Sequence, residues 1–361
     1  MSAPTDVTRL LGIDLPIVLG PMAGGPSTPA LAAAVSAAGG LGSMGEAYVA
    51  PDAIRADIRA LRRSTDRPFA VNLFVAEPAV RDEGAIARAL AVLDPYRAEV
   101  GLGPGAAPTA VGEDVAAQTA VLVEEAVPVV TFTFGLPPPD VVDALHRRGS
   151  VVGVTVTTPT EAVAAAAAGA DLLVAQGAEA GGHRASFLPV AGDDLIGLVA
   201  LVPQVRAAGG LPVVAAGGMV DGRGVAAALV LGAGAAQLGT AFLLCPEAGT
   251  SPPYRQAVGR ARAEDTVVTA AFSGRRARGL ANRFTAAMAG HHDLPPFPVL
   301  NAMTAEIRRA ATARGDAGLL SLWAGQAVAG ARPEPAAELV GRLAQETDAA
   351  LGAAGRLGGR P

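Results

Sequence analysis

The residues best able to do chemistry in this chain lie in glycine-rich stretches that directly follow runs of apolar residues. In residues 174–187, VAQGAEAGGHRASF, Gln176 closes the apolar run and His183 follows Gly181 and Gly182. Imidazole titrates near neutrality, so a histidine at such a rim is a candidate general base. A lone histidine more often serves structure, satisfied by a carbonyl, but the glycine context and the position after a strand point to function. Gln176 offers an amide to a flat heterocycle.

Two further stretches suit an anion. Residues 211–221, LPVVAAGGMVD, run from an apolar strand into Gly217 and Gly218 and then a helix; residues 232–242, GAGAAQLGTAF, end a strand in Gln237, Leu238, Gly239 and Thr240. Glycines let backbone N–H groups close on a ligand, and the helix start after Gly218 is expected to present free N–H groups. Either turn alone could be only a turn; two in tandem after the last strands of a barrel make a phosphate site. Met22, in GPMAGG, places a soft thioether beside a ring. Asn72, inside the apolar run VNLF, needs a polar partner or a ligand. His146 reads as a solvated helix residue. His291 and His292 fall in a loop with no carboxylate pattern for a metal, so no metal site is expected.

These residues need elements to hold them. Apolar runs at 16–22, 41–44, 68–74, 128–134, 151–156, 171–175, 212–216 and 235–238 read as eight buried strands. They alternate with Ala-rich helices, among them 27–38, capped by Ser27 or Thr28, and 51–63, 140–148, 159–168 and 222–231. Continuous apolar strands imply a parallel sheet covered on both faces. An open doubly wound sheet and a closed barrel both fit. Eight strands, with glycine and polar residues just past their ends, favour a (β/α)8 TIM barrel of the α/β class with a smaller, mainly helical domain. The expected division assigns 1–76 and 128–245 to the barrel. Residues 77–127 and 246–330 form a small helical lid, in which 272–284 is a polar loop, and 331–361 a C-terminal helix ending in a frayed GGRP tail.

Composition narrows the partners. With 361 residues, 51% of them hydrophobic, the chain can bury a large core. A net charge of −5 without a basic run argues against nucleic acid. One cysteine, Cys245, excludes an intrachain disulfide and a cysteine zinc site. The chain start has no signal-like apolar core, and the longest Ala-rich run is too short for a bilayer, so a cytoplasmic protein without membrane contact is expected. A homodimer is compatible with all of this.

Taken together, PIVLGPMAGGPSTPALAAAVSAAGGLG, VNLF, FTFGLP, QGAEAGGHR, PVVAAGGM, QLGTAFL and SLWAGQ (321–326) resemble the nitronate monooxygenase family, formerly 2-nitropropane dioxygenases, from Pro16 to about Gln326. The resemblance implies an FMN-dependent flavoprotein that oxidises alkyl nitronates, such as propionate 3-nitronate, or nitroalkanes with O2 to a carbonyl compound and nitrite. The catalytic histidine would be His183. The flavin contacts would be Met22, Asn72, Gln176, Gly181, Gly217, Gly218, Gln237, Leu238, Gly239 and Thr240. The chain departs from the family's tyrosine-rich pocket at Phe297 and Asn301. Relatives in the wider superfamily are NAD(P)H-dependent flavin reductases of enoyl thioesters or quinones. A barrel that binds a phospholigand without turnover and a metal-dependent aldolase-type barrel remain as alternatives.

Overall fold

A computed structural model describes residues 4–75, 81–190, 192 and 194–358. Residues 77–80, where the expected insertion begins, and 359–361 of the GGRP tail lie outside the described residues.

Strands β1 (Ile17–Leu19), β2 (Gly42–Gly45), β3 (Phe69–Phe74), β4 (Val129–Thr133), β5 (Val151–Val156), β6 (Leu172–Gln176), β8 (Val213–Ala216) and β9 (Ala235–Leu238) form one parallel sheet in the order β2-β3-β4-β5-β6-β8-β9-β1. A parallel bridge between Val18 and Leu41 brings its two edges together. There the Leu41 N–H donates to the Ile17 carbonyl and the Leu19 N–H to the Leu41 carbonyl, both at 2.9 Å. The sheet is thus a (β/α)8 barrel, and the open doubly wound alternative is set aside.

The eight expected strands are these eight, within a few residues at each end. Helices α1 (Asp6–Leu11), α2 (Pro29–Ala37), α3 (Pro51–Ser64), α4 (Glu83–Glu99), α5 (Val115–Glu124), α6 (Pro139–Arg147), α7 (Pro159–Ala167), α8 (Leu198–Gly209) and α9 (Gly222–Val230) accompany them. Local signals explain several starts. Proline opens α2, α3, α6 and α7, where its missing N–H costs nothing. Thr28 caps α2 by accepting the Leu31 N–H at 3.0 Å.

After β9 the chain leaves the barrel through α10 (Pro252–Val258), α11 (Arg283–Met288) and α12 (Val299–Arg314), and returns as α13 (Ala336–Gly358). Helix α13 packs between α9 and α2, the position of the eighth barrel helix. The excursion is not wholly helical. Strands β10 (Thr266–Thr269) and β11 (Ala277–Leu280) form a small antiparallel sheet with β7 (Gly182–His183), a two-residue strand in the loop after β6. The segment 272–284, read from its polarity as a loop, therefore contains a strand. Its partners lie far off in sequence, and a single short polar segment carries no sign of them.

The core falls into three clusters. One lies between barrel and helices. A second joins α4 to the chain beyond β9, through residues such as Leu93, Phe272, Phe284 and Ile307. The third fills the barrel's lower interior with Val18, Ala70, Val129, Leu172, Val214 and Ala235, closed beneath by Val7 and Leu11 of α1. Inward positions alternate along each strand, and further up they turn polar: Asn72, Thr131, Thr133, Thr155, Gln176 and Gln237. The expectation of strands without polar alternation holds for the lower layer only.

The seat of α13 gives a stability test. A Cβ on Gly222 would stand 2.3 Å from the Thr347 nitrogen and 2.4 Å from the Glu346 Cβ. Gly222→Ala therefore pushes α13 off α9 and costs about 1–3 kcal/mol, read as a lower urea midpoint at unchanged slope.

Candidate active site

One cavity of about 730 Å³ opens at the C-terminal ends of the barrel strands. His183 and all ten expected ligand contacts line it: Met22, Asn72, Gln176, Gly181, Gly217, Gly218, Gln237, Leu238, Gly239 and Thr240. His146 lies elsewhere, its Nε2 3.0 Å from Asp171 Oδ2, and His291 and His292 are exposed. Among the described residues no group of three or more histidine, cysteine or acidic side chains could hold a metal.

At one end the two glycine turns face each other. Gly217 and Gly218 have φ of +129° and +67°, a region that L side chains avoid. A Cβ on Gly218 would also meet the Glu179 Cβ at 2.9 Å. Among the described residues, no hydrogen bond engages the N–H groups of Gly218, Met219 or Gly239. The Thr240 hydroxyl accepts the Gly325 N–H at 2.9 Å, and the Gln326 N–H donates to the Glu179 carbonyl at 3.0 Å. The SLWAGQ segment thereby ties the Gln237–Thr240 turn to the loop after β6. The start of α9 differs from expectation. Its N–H groups are already taken, Gly222 by Glu346 Oε2 at 2.9 Å and Arg223 and Gly224 by the capping Asp221 at 3.0 and 3.1 Å. Two carboxylates thus occupy the helix end, whereas the turns keep N–H groups without a partner among the described residues.

The barrel's polar layer forms the floor. The Asn72 amide donates to the Thr131 carbonyl and to the Thr131 and Thr133 hydroxyls at 2.9–3.1 Å, which settles most of its need for a partner. Gln176 uses its amide to clip the histidine loop. Its Nε2 donates to the His183 carbonyl and its Oε1 accepts the Ala185 N–H, both at 2.9 Å. The expected contact to a flat ring is left to its second N–H proton.

At the other end stands His183. Its backbone pairs with Ala277, and its Nε2 lies 2.9 Å from the buried Ser273 hydroxyl. Phe134, Phe297 and Trp323 surround the ring with centroids at 5.3–5.7 Å. The guanidinium of Arg275 lies over Phe134 at 4.0 Å. Burial, then Arg275 and Arg308, push the His183 pKa down to about 3, so the imidazole is neutral at pH 7 and able to accept a proton.

Sequence reasoning passed over several of these side chains. Tyr48 and Arg308 line the cavity; the Tyr48 hydroxyl and the Arg308 Nε are buried without a hydrogen-bond partner. Arg308 is held by Asn301, whose carbonyl and Oδ1 accept from Nη2 at 2.8 and 2.9 Å. Burial lowers the Arg308 pKa and raises that of Tyr48 to about 12. Tyr254 also lines the cavity and donates to the Trp323 carbonyl. The scarcity of tyrosine, three in the chain, was the available signal. Arg308, on an ordinary amphipathic helix, gave none. Among the described lining residues there are two arginines, Arg308 and Arg309, and no carboxylate.

The nitronate monooxygenase family profile matches residues 5–346. The chain is 49% identical over 344 residues to a nitronate monooxygenase of Pseudomonas aeruginosa, covering 94% of this chain and 98% of the other. A nitroalkane oxidase structure from Streptomyces ansochromogenes superposes with a TM-score of 0.90 at 44% identity, covering 96% and 99%. FabK from Thermotoga maritima superposes at 0.78 with 32% identity, covering 99% and 100%. Fold and cavity are those of a TIM-barrel oxidoreductase. The chain belongs to the nitronate monooxygenase family. Among the described residues no helix is long and apolar enough to cross a membrane.

The depressed histidine pKa has a sign that can be measured. Between the ordinary value of 6.5 and about 3, the unfolded chain binds a proton at His183 that the folded chain refuses. His183 thus leaves stability untouched above pH 6.5 and lowers it progressively as pH falls. Glu46, raised to about 7 chiefly by burial, acts in the opposite direction but is common to wild type and variant. Urea unfolding at pH 7 and pH 5 should therefore show a smaller loss of stability at pH 5 in His183→Asn than in wild type. Equal losses would mean an imidazole with an ordinary pKa.

Proposed function

We propose that this protein is an FMN-dependent nitronate monooxygenase, oxidising alkyl nitronates with O2 to a carbonyl compound and nitrite. The observation that carries the reading is the charge of the cavity. Arginine is its only ionised side chain among the described lining residues, and its histidine is neutral. A nitronate is an anion; it gains from Arg308 and meets no carboxylate. The nitronate monooxygenase of Pseudomonas aeruginosa and the nitroalkane oxidase of Streptomyces ansochromogenes support the same substrate class.

The residues fit FMN. The Gly217–Gly218 turn and the Gln237–Thr240 segment would take the phosphate on N–H groups that have no other partner among the described residues, without a Cβ in the way. Met22, Asn72, Gln176 and Gly181 would line the remainder. Bound FMN supplies the electron transfer and O2 chemistry. The chain's own residues do the rest. Arg308 and Tyr48 attract and orient the anion, and Phe134, Phe297 and Trp323 exclude water. For a neutral nitroalkane, His183 takes the proton from the carbon bearing the nitro group and leaves the nitronate in place.

The second reading is the one the wider superfamily implies, an NAD(P)H-dependent flavin reductase. Purified protein should release FMN on denaturation and form nitrite from propionate 3-nitronate in air. Anaerobically its flavin should bleach with the nitronate and not with NADH; bleaching by NADH alone would replace the first reading by the second. Replacement of the base has a distinct signature. His183→Asn should lose nitroalkane turnover by about 10²-fold or more and nitronate turnover far less. Equal losses on both substrates would remove the base role.

A further inference from the structure

We propose that Ser273 holds His183 as the Nε2–H tautomer, making Nδ1 the nitrogen that receives the substrate proton. The inference deepens the reading of His183 as the base and rests on it.

The argument begins with the protons available around one hydroxyl. Ser273 is 1% exposed. Its Oγ has three neighbours: His183 Nε2 at 2.9 Å, the Arg275 carbonyl at 3.1 Å and the Arg275 N–H at 3.3 Å. A serine hydroxyl carries one proton and two lone pairs. The carbonyl can only accept, so the contact with it is a hydrogen bond only if the hydroxyl donates there. The Arg275 N–H occupies one lone pair. The other is left for His183, and Nε2 must then be the donor. In the opposite assignment, with serine donating to Nε2, the hydroxyl and carbonyl oxygens would face each other at 3.1 Å with no proton between them.

The surroundings hold this arrangement still. Gln176 fixes the His183 carbonyl, β11 pairs with its backbone, and the Arg184 N–H donates to the Arg276 carbonyl at 2.8 Å. Three aromatic rings limit rotation of the imidazole. Among the described residues Nδ1 has no hydrogen-bond partner. When a nitroalkane gives up its proton, the C–H pair remains on the substrate as the nitronate and the proton goes to Nδ1. The Nε2–H bond to Ser273 persists in both charge states, so nothing else moves. Ser273 is in this sense a positioning residue.

The test reads the tautomer directly. In holoprotein labelled with ¹⁵N-histidine, two-bond ¹H–¹⁵N correlations at pH 7 should show the Nε2–H pattern for the His183 ring, identified by its absence in His183→Gln. An Nδ1–H pattern would overturn the proposal. Ser273→Ala should lower the ratio of nitroalkane to nitronate turnover by about 10- to 100-fold, and Ser273→Thr, which keeps the hydroxyl, should hold that ratio near wild type. An unchanged ratio in Ser273→Ala would overturn it too. Failure of the base reading would appear separately, as undiminished nitroalkane turnover in His183→Asn, whichever tautomer is seen.

Discussion

The antiparallel pairing of Gly182–His183 with Ala277–Arg278 is the contact on which the site depends. Without it, the loop after β6 would be a glycine-rich segment with little to set its conformation, and ordering it would cost entropy that glycine makes large. The pairing moves that cost onto a sheet whose other strand, β10, is already held by β11. It also brings Ser273 and Arg275, the cation over Phe134, to the histidine, because both lie within a few residues of β11. Trp323 closes the arrangement through a bridge to Gly279 on the same strand. The histidine belongs to the barrel by sequence and to the excursion beyond β9 by contact.

A second constraint acts from below. Parallel strands alternate their side chains between the helices and the barrel interior. Packing fills the lower interior with Val, Leu and Ala, which leaves the upper inward positions free to be polar. Asn72, Thr131, Thr133 and Thr155 use that freedom to bind one another, Thr133 and Thr155 with hydroxyls 3.3 Å apart. The floor of the cavity is therefore a largely self-paired polar network, set in place by the barrel itself. The same alternation turns Gln176 inward, where it reaches the histidine loop and not the helix layer.

The barrel was legible because its signals are local. Apolar runs, proline at helix starts and glycine after strands each stand within a dozen residues, and eight such units could be counted. The position of the glycine turns and His183 at the cavity was legible for the same reason. What escaped depends on contacts across long separations. Strand β11 pairs with residues some ninety positions earlier, and nothing in SGRRARGL says so. Thr131 and Thr155 pass for ordinary β-formers unless the inward face is known. The start of α9 looked like an anion site, and only Glu346, 124 residues further on, shows that it is already taken. Arg308 was hidden because an arginine on a polar helix face is ordinarily solvated.

That arginine also explains a division of labour in the cavity's electrostatics. A guanidinium with a buried, unpartnered Nε is costly unless something anionic returns the lost hydration. Among the described residues no carboxylate forms an ion pair with it; the neutral oxygens of Asn301 accept its Nη2. The carboxylates near the cavity are spent elsewhere: Glu346 and Asp221 on the α9 N-terminus, Glu179 on the Leu198 N–H. Each neutralises a dipole or an N–H group of the fold without facing the lining. Two kinds of positive potential then remain for ligands, backbone N–H groups at the glycine turns and guanidinium charge beside the aromatic wall. They sit at different parts of one cavity and suit different anions. In the proposed function, the N–H groups on glycine would surround the oxygens of a phosphate at close range, and the buried arginine would take a smaller, softer charge next to the neutral His183. His183 stays unprotonated partly because Arg275 and Arg308 repel its proton, and an arriving anion weakens that repulsion. On the proposed function, substrate charge and base strength are coupled through the same two arginines, so the imidazole becomes a better proton acceptor at the moment an anion begins to form beside it.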